Sequence, residues 1–185
     1  MKAVPAPLRR RLRDETRPAH DRVDAAFDRF DLTDAHALGG FLEAHHEALS
    51  ALPLDPAPLG LPGVALLPLL RADLAALGLG APVGEPVALA SEAERLGAYY
   101  VVAGSRMGAQ VLSARWREAS CPRALSAGRY LSDRTMIRGW KALGAALPAV
   151  PVAEHDAVIA GALAAFGRFE AAGRGQAARG LAGAA

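Results

Sequence analysis

Residues 8–30 read LRRRLRDETRPAHDRVDAAFDRF, and within them Leu8, Leu12, Thr16, His20, Val23, Phe27 and Phe30 recur at steps of three and four. That spacing marks one face of an α-helix, so the segment predicts a long amphipathic helix over about 6 to 30. Pro18 falls inside it. Proline has no N–H to donate to the Asp14 carbonyl, so a kink or a restart is expected, with Thr16 or Arg17 near the cap. His20 sits in the second half, in line with Leu8, Leu12 and Thr16 at i+4 steps, and is expected to face the interior.

Working outward, Thr33-Asp34-Ala35-His36 opens a second periodic segment through Phe41, Leu42, His45 and Leu49, closed by the prolines at 53, 56, 58 and 62. A third helix is expected over roughly 64 to 77, before a Gly/Pro-rich connection from Gly78 to Pro86. Ser91-Glu92-Ala93-Glu94 has the form of a capping box and heads a long helix to about Glu118. Further helices are expected over about 123 to 147 and 153 to 171. Alternating strand patterns are absent, so the fold class is all-α. Residues 1–170 form one domain in this division, and the Ala/Gly/Arg-rich stretch 171–185 is expected to be a frayed or flexible tail.

Composition agrees. Of 185 residues, 52% are hydrophobic, much of it alanine, the best helix former. A net charge of +2 lacks the strong basic field that nucleic-acid binding needs, although Arg9, Arg10, Arg11, Arg13 and Arg17 crowd the first turns. Cys121 is the single cysteine, which excludes an intrachain disulfide and a cysteine metal cluster and fits a reducing compartment. The N-terminal residues run into charge without an apolar stretch, and no apolar run reaches spanning length, so a cytoplasmic protein without membrane contact is expected.

Two patterns carry chemistry. An inward His20 is either a hydrogen-bonded core histidine or a ligand. Arg13 lies seven residues before it, about 10 Å down the helix, and Arg17 one turn away, which suits a flat, metal-bearing dianion whose carboxylates reach the helix edge. In the helix from Ser91, Gly97, Gly104 and Gly108 share one narrow stripe. Each interior glycine costs about 1 kcal/mol relative to alanine, so something approaches that backbone closely, either another helix or a flat ligand. His36, His45, His46 and His155 read as surface or structural residues, and Trp116 and Trp140 as packing anchors.

The segment from Leu12 to His20 resembles the start of haem oxygenases, where a Leu, Thr, His pattern ends in the iron-ligating histidine. The segment from Tyr99 to Leu112, with Gly104-Ser105 and Gly108, is similar to that family's distal helix, in which glycines lie over the haem. Arg129-Tyr130, Trp140 and the run from Val158 to Phe166 look like weaker later landmarks, so the resemblance covers residues 6 to 170. The Gly-Ser form at 104 and 105 is closer to bacterial members linked with bacteriophytochromes than to the animal enzymes.

The resemblance implies a haem-oxygenase-like helical bundle that cleaves haem oxidatively to biliverdin with release of iron and carbon monoxide. It implies His20 as proximal iron ligand, Gly104, Ser105 and Gly108 as the distal catalytic wall, and Arg13, Arg17 and Tyr99 as haem-binding residues. Haem would be substrate and cofactor, an external donor such as ferredoxin or a reductase would supply electrons, and a bacteriophytochrome would receive the product. Departures are visible. Ser105 replaces an aspartate of the animal enzymes, Ala109 replaces a glycine, and Leu163 and Gly167 stand where the last helix often carries basic residues, with Arg168 as a substitute. Two alternatives stay open: a non-catalytic haem-binding or sensor protein on the same fold, and a di-iron oxidase prompted by the Glu-x-x-His step from Glu43 to His46.

Overall fold

The computed structural model describes residues 7–182, with side chains through Arg179. Among them the backbone forms eight α-helices and no strand: α1 (Leu8–Phe27), α2 (Ala35–Ser50), α3 (Leu67–Ala76), α4 (Glu92–Arg117), α5 (Pro122–Leu125), α6 (Arg129–Ser132), α7 (Met136–Ala146) and α8 (His155–Ala182). No single helix among them is long and apolar enough to cross a membrane.

Helix starts follow local chemistry. The Asp34 carboxylate accepts the free N–H groups of His36 and Ala37 at 3.0 and 2.8 Å and begins α2. At α4 the reciprocal box forms as expected, Ser91 Oγ taking the Glu94 N–H at 3.1 Å while the Glu94 carboxylate takes the Ser91 N–H. Helix α1 departs from expectation, because it runs through Pro18 without a break. The carbonyl that loses its partner belongs to Asp14, an exposed residue at which water can substitute.

The stretch expected as one helix over 123–147 is three short ones, interrupted at Gly128 and again at Asp133. The break is held by Asp73 of α3, a fully buried carboxylate that accepts the backbone N–H groups of Arg129 and Tyr130 at 3.1 and 2.8 Å and Nη1 of Arg129 at 3.2 Å. A tertiary anchor thereby starts α6 where sequence periodicity shows nothing. The last helix, expected to end near Ala171, continues as α8 to Ala182. Ala172 and Gln176 are buried, Gly173 lies under the Phe27 ring, and Arg179 pairs with Glu47 at 3.3 Å, so this stretch has packing to hold it. The parts of the domain division that fall on residues 1–6 and 183–185 lie outside the described residues.

Helix α8 is the central element, and α1, α2 and α4 all pack on it. The α4–α8 crossing is set by reciprocal glycines: a Cβ on Gly97 would collide with the carbonyl oxygen of Val158, and one on Gly161 with the carbonyl oxygen of Glu94. Of the three glycines on the α4 stripe, Gly97 therefore serves helix packing. Further along α4, a Cβ on Gly108 would meet nothing within 4 Å. Accordingly, Gly97→Ala should lose about 1–3 kcal/mol of stability through overpacking. Gly108→Ala should gain up to about 1 kcal/mol through helix propensity. Thermal denaturation of the two variants measures both, and equal effects of the same sign would contradict this division of the stripe.

Candidate functional site

Where α4 leaves α8, it faces α1 across a cavity of about 750 Å³. Helix α1 contributes Arg13, Arg17, His20 and Asp24 to its wall, and α4 contributes Gly104, Ser105 and Gly108. Of the site residues expected from the sequence, all but Tyr99 thus meet around one space.

His20 is placed differently from expectation. Four-residue steps drift by about 40° each, so three steps carry His20 roughly 120° from Leu8. The buried stripe passes to Ala19 and Ala26, and the imidazole stands at the cavity edge with 56% of its side chain exposed. It is therefore not a core histidine. Its Nδ1 lies 3.0 Å from Oδ2 of Asp24, one turn on, and Phe166 of α8 meets the ring edge-on at 5.7 Å. With Nδ1 directed at a carboxylate, Nε2 is the ring nitrogen left for a ligand. Partial burial raises the Asp24 carboxyl above its ordinary range, a shift that His20 opposes and Asp28 and Asp21 reinforce. His20, Asp21 and Asp24 also bring one ligand atom each within 4.8 Å of one another, all on exposed side chains.

On the facing wall, Gly104 is covered only by the Trp140 indole, whose Cζ3 would lie 3.2 Å from an added Cβ. Trp140 in turn packs on Tyr100 with centroids 5.5 Å apart, and both rings line the cavity. Trp140 is thus a wall residue as well as a packing anchor. The Ser105 hydroxyl donates to the Val102 carbonyl at 2.8 Å, which leaves its oxygen able to act only as an acceptor on a residue that lines the cavity.

Tyr99 is a correction. It is fully buried, its hydroxyl donates to the Pro62 carbonyl at 2.8 Å, and it packs against Gly139 on the side away from the cavity. Five residues separate it from Gly104, roughly 140° of rotation, whereas Tyr100 is separated by four and about 40°. Helical spacing alone would have named Tyr100. Arg168 is a second correction: it turns toward Gly84, and neither it, Leu163 nor Gly167 lines the cavity.

His45, expected as a surface or structural residue, also lines the cavity. Its ring lies 4.1 Å from Phe41, 4.5 Å from Phe27 and 5.2 Å from Tyr130, centroid to centroid. Nδ1 is 2.8 Å from the Phe41 carbonyl oxygen, to which it donates. Beyond Tyr130 lies Arg106, whose guanidinium carbon stands 4.4 Å over the tyrosine ring. Arg106 Nη2 donates to the Tyr130 carbonyl at 2.6 Å, and its buried Nε has no partner. Nothing in the composition or periodicity marks this group, because its members come from α2, α4 and α6.

The Glu43–His46 step forms no metal site. Nδ1 of His46 donates to the Pro82 carbonyl at 2.7 Å while Nε2 accepts from Arg71 at 3.3 Å, so both ring nitrogens are engaged. His155 and Trp116 are structural, bonded to the carbonyls of Val150 and Ala124. No protein-family model matches the chain, and no curated protein matches its sequence.

Burial pushes the His45 imidazole down to about 4, against the hydrogen bond to Phe41, with the Arg106 guanidinium adding to the fall. The folded value lies below the unfolded one, so the unfolded chain takes up the proton first as pH drops. The stabilisation is complete above the ordinary value of 6.5 and is lost between there and about 4, by up to about 3 kcal/mol. Histidine ring NMR should therefore show the His45 imidazole neutral at about pH 5 in the folded protein. Titration of that ring near its ordinary value would contradict the assignment.

Proposed function

We propose that this protein is a haem oxygenase on a haem-oxygenase-like helical fold, opening haem oxidatively to biliverdin with release of iron and carbon monoxide. The observation that carries this is the meeting of His20 and the Gly104–Gly108 wall on one cavity.

Fit to haem can be tested on the residues themselves. The volume lies within the roughly 300–1,000 Å³ typical of small-molecule pockets. Phe27, Phe166 and Trp140 give apolar faces suited to a porphyrin, and Gly108 leaves open space where any side chain would intrude. Arg13 and Arg17 stand on exposed positions of the α1 wall, suited to propionate carboxylates. Tyr100 replaces Tyr99 as the tyrosine on the cavity side.

Bound haem would supply both the iron that activates oxygen and the ring that is oxidised. Each residue then has a defined task. His20 would hold the iron through Nε2, and Asp24 fixes the orientation of the imidazole by accepting a hydrogen bond from Nδ1–H. Gly104 and Gly108 keep the α4 wall free of side chains where the ring would lie, and Ser105 would offer that wall a hydrogen-bond acceptor without an ionisable acid. Electrons come from an external donor, a ferredoxin or a flavin-bearing reductase, and the product passes to a biliverdin-binding protein such as a bacteriophytochrome in the same cytoplasm.

A non-catalytic haem carrier would share the first steps and stop before ring opening. Reconstitution with haem followed by a reductant and oxygen separates the two, with product chromatography as the readout. Biliverdin is expected; haem uptake without any ring-opened product would leave only the carrier. In the same assay His20→Ala should lose the axial imidazole signature and turnover. Asp24→Asn should weaken haem affinity or activity roughly 10–100-fold. Unchanged spectra and rates in both variants would mean that the ligand lies elsewhere.

A further inference from the structure

Two adjacent histidines of α2 differ in how their rings are satisfied. His46 is buried with both nitrogens engaged, Nδ1 by the Pro82 carbonyl and Nε2 by Arg71, the ordinary state of a core histidine. His45 is engaged once. Its Nδ1–H is fixed on the Phe41 carbonyl, which sets the tautomer and leaves the lone pair on Nε2, and no group among the described residues donates to that lone pair. The rings of Phe27, Phe41, Tyr130 and Phe169 surround the imidazole and resist its rotation. His45 keeps accessible surface and lines the cavity, and Nε2 is not an enclosed atom, so the lone pair is reached from the cavity. Burial holds the imidazole neutral, so it remains an acceptor at neutral pH.

A ligand that covers such an acceptor either brings a donor or leaves it unpaired, at the cost of its desolvation. Haem brings none. Its nitrogens are committed to iron, and its rim away from the propionates consists of methyl, vinyl and meso C–H groups. Ring opening changes that inventory, because loss of the iron and of one meso carbon leaves pyrrole and lactam nitrogens that carry N–H groups. A fixed acceptor among aromatic rings therefore separates two ligands of nearly equal size and equal edge charge. We propose that His45 is a product-recognition residue, its Nε2 accepting an N–H of an open-chain tetrapyrrole bound in the cavity. The inference rests on the haem oxygenase reading for the identity of that ligand and extends it from the opening of the ring to the holding of the opened ring.

The test titrates the full-length protein with biliverdin and, separately, with ferric haem, each followed by absorption, in wild type, His45→Phe and His45→Gln. Phenylalanine keeps an aromatic ring and removes the acceptor, whereas the glutamine carbonyl restores one. His45→Phe should bind biliverdin roughly tenfold more weakly than wild type, the scale of one hydrogen bond left unmade, while haem affinity holds or rises. His45→Gln should recover most of the biliverdin affinity. Equal biliverdin affinity in wild type and His45→Phe, or an equal fall for both ligands, would overturn the inference and leave His45 a packing residue. If circular dichroism shows His45→Phe unfolded, the ¹⁵N resonance of His45 Nε2 in wild type decides. Biliverdin has to move that resonance further than zinc protoporphyrin, a diamagnetic ring with no free N–H, and equal shifts overturn the inference. A wild type that never opens haem but binds biliverdin through His45 would sink the proposed function and leave this site standing. Ring opening with biliverdin affinity indifferent to His45 would do the reverse.

Discussion

The close approach of α4 to α8 at Gly97 and Gly161 governs the rest of the structure. Two helices whose backbones touch at one point have to diverge away from it, because only glycine permits the contact and the flanking side chains force the axes apart. At Gly97 the neighbour is the α8 backbone itself, and by Gly104 it is the edge of an indole. At Gly108 no atom is near. The cavity is the wedge that this divergence leaves, and α1, packed on the same α8, closes its other side. Ion pairs between Arg11 and Asp156 and between Arg22 and Glu170 also join α1 to α8, but such solvent-screened pairs contribute little, so buried contacts dominate.

Two histidines reach this wedge in contrasting settings. His20 is half in solvent at the cavity edge, with its imidazole held through Nδ1 by a neighbouring carboxylate. His45 is ringed by aromatic side chains, and its remaining nitrogen faces no carboxylate. The first environment favours a metal ligand and the second a neutral hydrogen-bond acceptor. Asp73 lies behind the second: by fixing the N–H groups of Arg129 and Tyr130 it positions the carbonyl and ring on which Arg106 rests.

The parts of this arrangement that are legible in the sequence depend on contacts within single helices. Periodicity marks α1 and α2, and Ser91 and Glu94 announce the start of α4, because a capping box involves only four consecutive residues. The glycine stripe is visible too, although not that its first member contacts a helix and its last contacts nothing. What escapes are features decided between helices. The break at Gly128 depends on Asp73, more than fifty residues away in sequence. The continuation of α8 beyond Ala171 depends on Phe27 and Glu47. The placement of His45 depends on rings brought in by α1, α6 and α8. Tyr99 is a different failure, since a rotation of about 100° per residue already distinguishes it from Tyr100.

Polarity is graded along the cavity, and the gradient constrains how a planar ligand with charged edges can lie. Arg13 and Arg17 are exposed at one side, where guanidinium groups keep their hydration and meet carboxylates without a large desolvation penalty. The opposite end is enclosed by Phe41, Phe169 and Tyr130 around a neutral imidazole. The cation there is Arg106, and it is already held by the Tyr130 carbonyl and the face of its ring. A carboxylate placed at that end would lose its water and meet a guanidinium fixed for another contact, whereas the same carboxylate at the α1 edge keeps both its water and a mobile partner. A planar ligand with one charged edge would therefore present that edge to α1 and solvent, a preference set by desolvation before any specific hydrogen bond is formed.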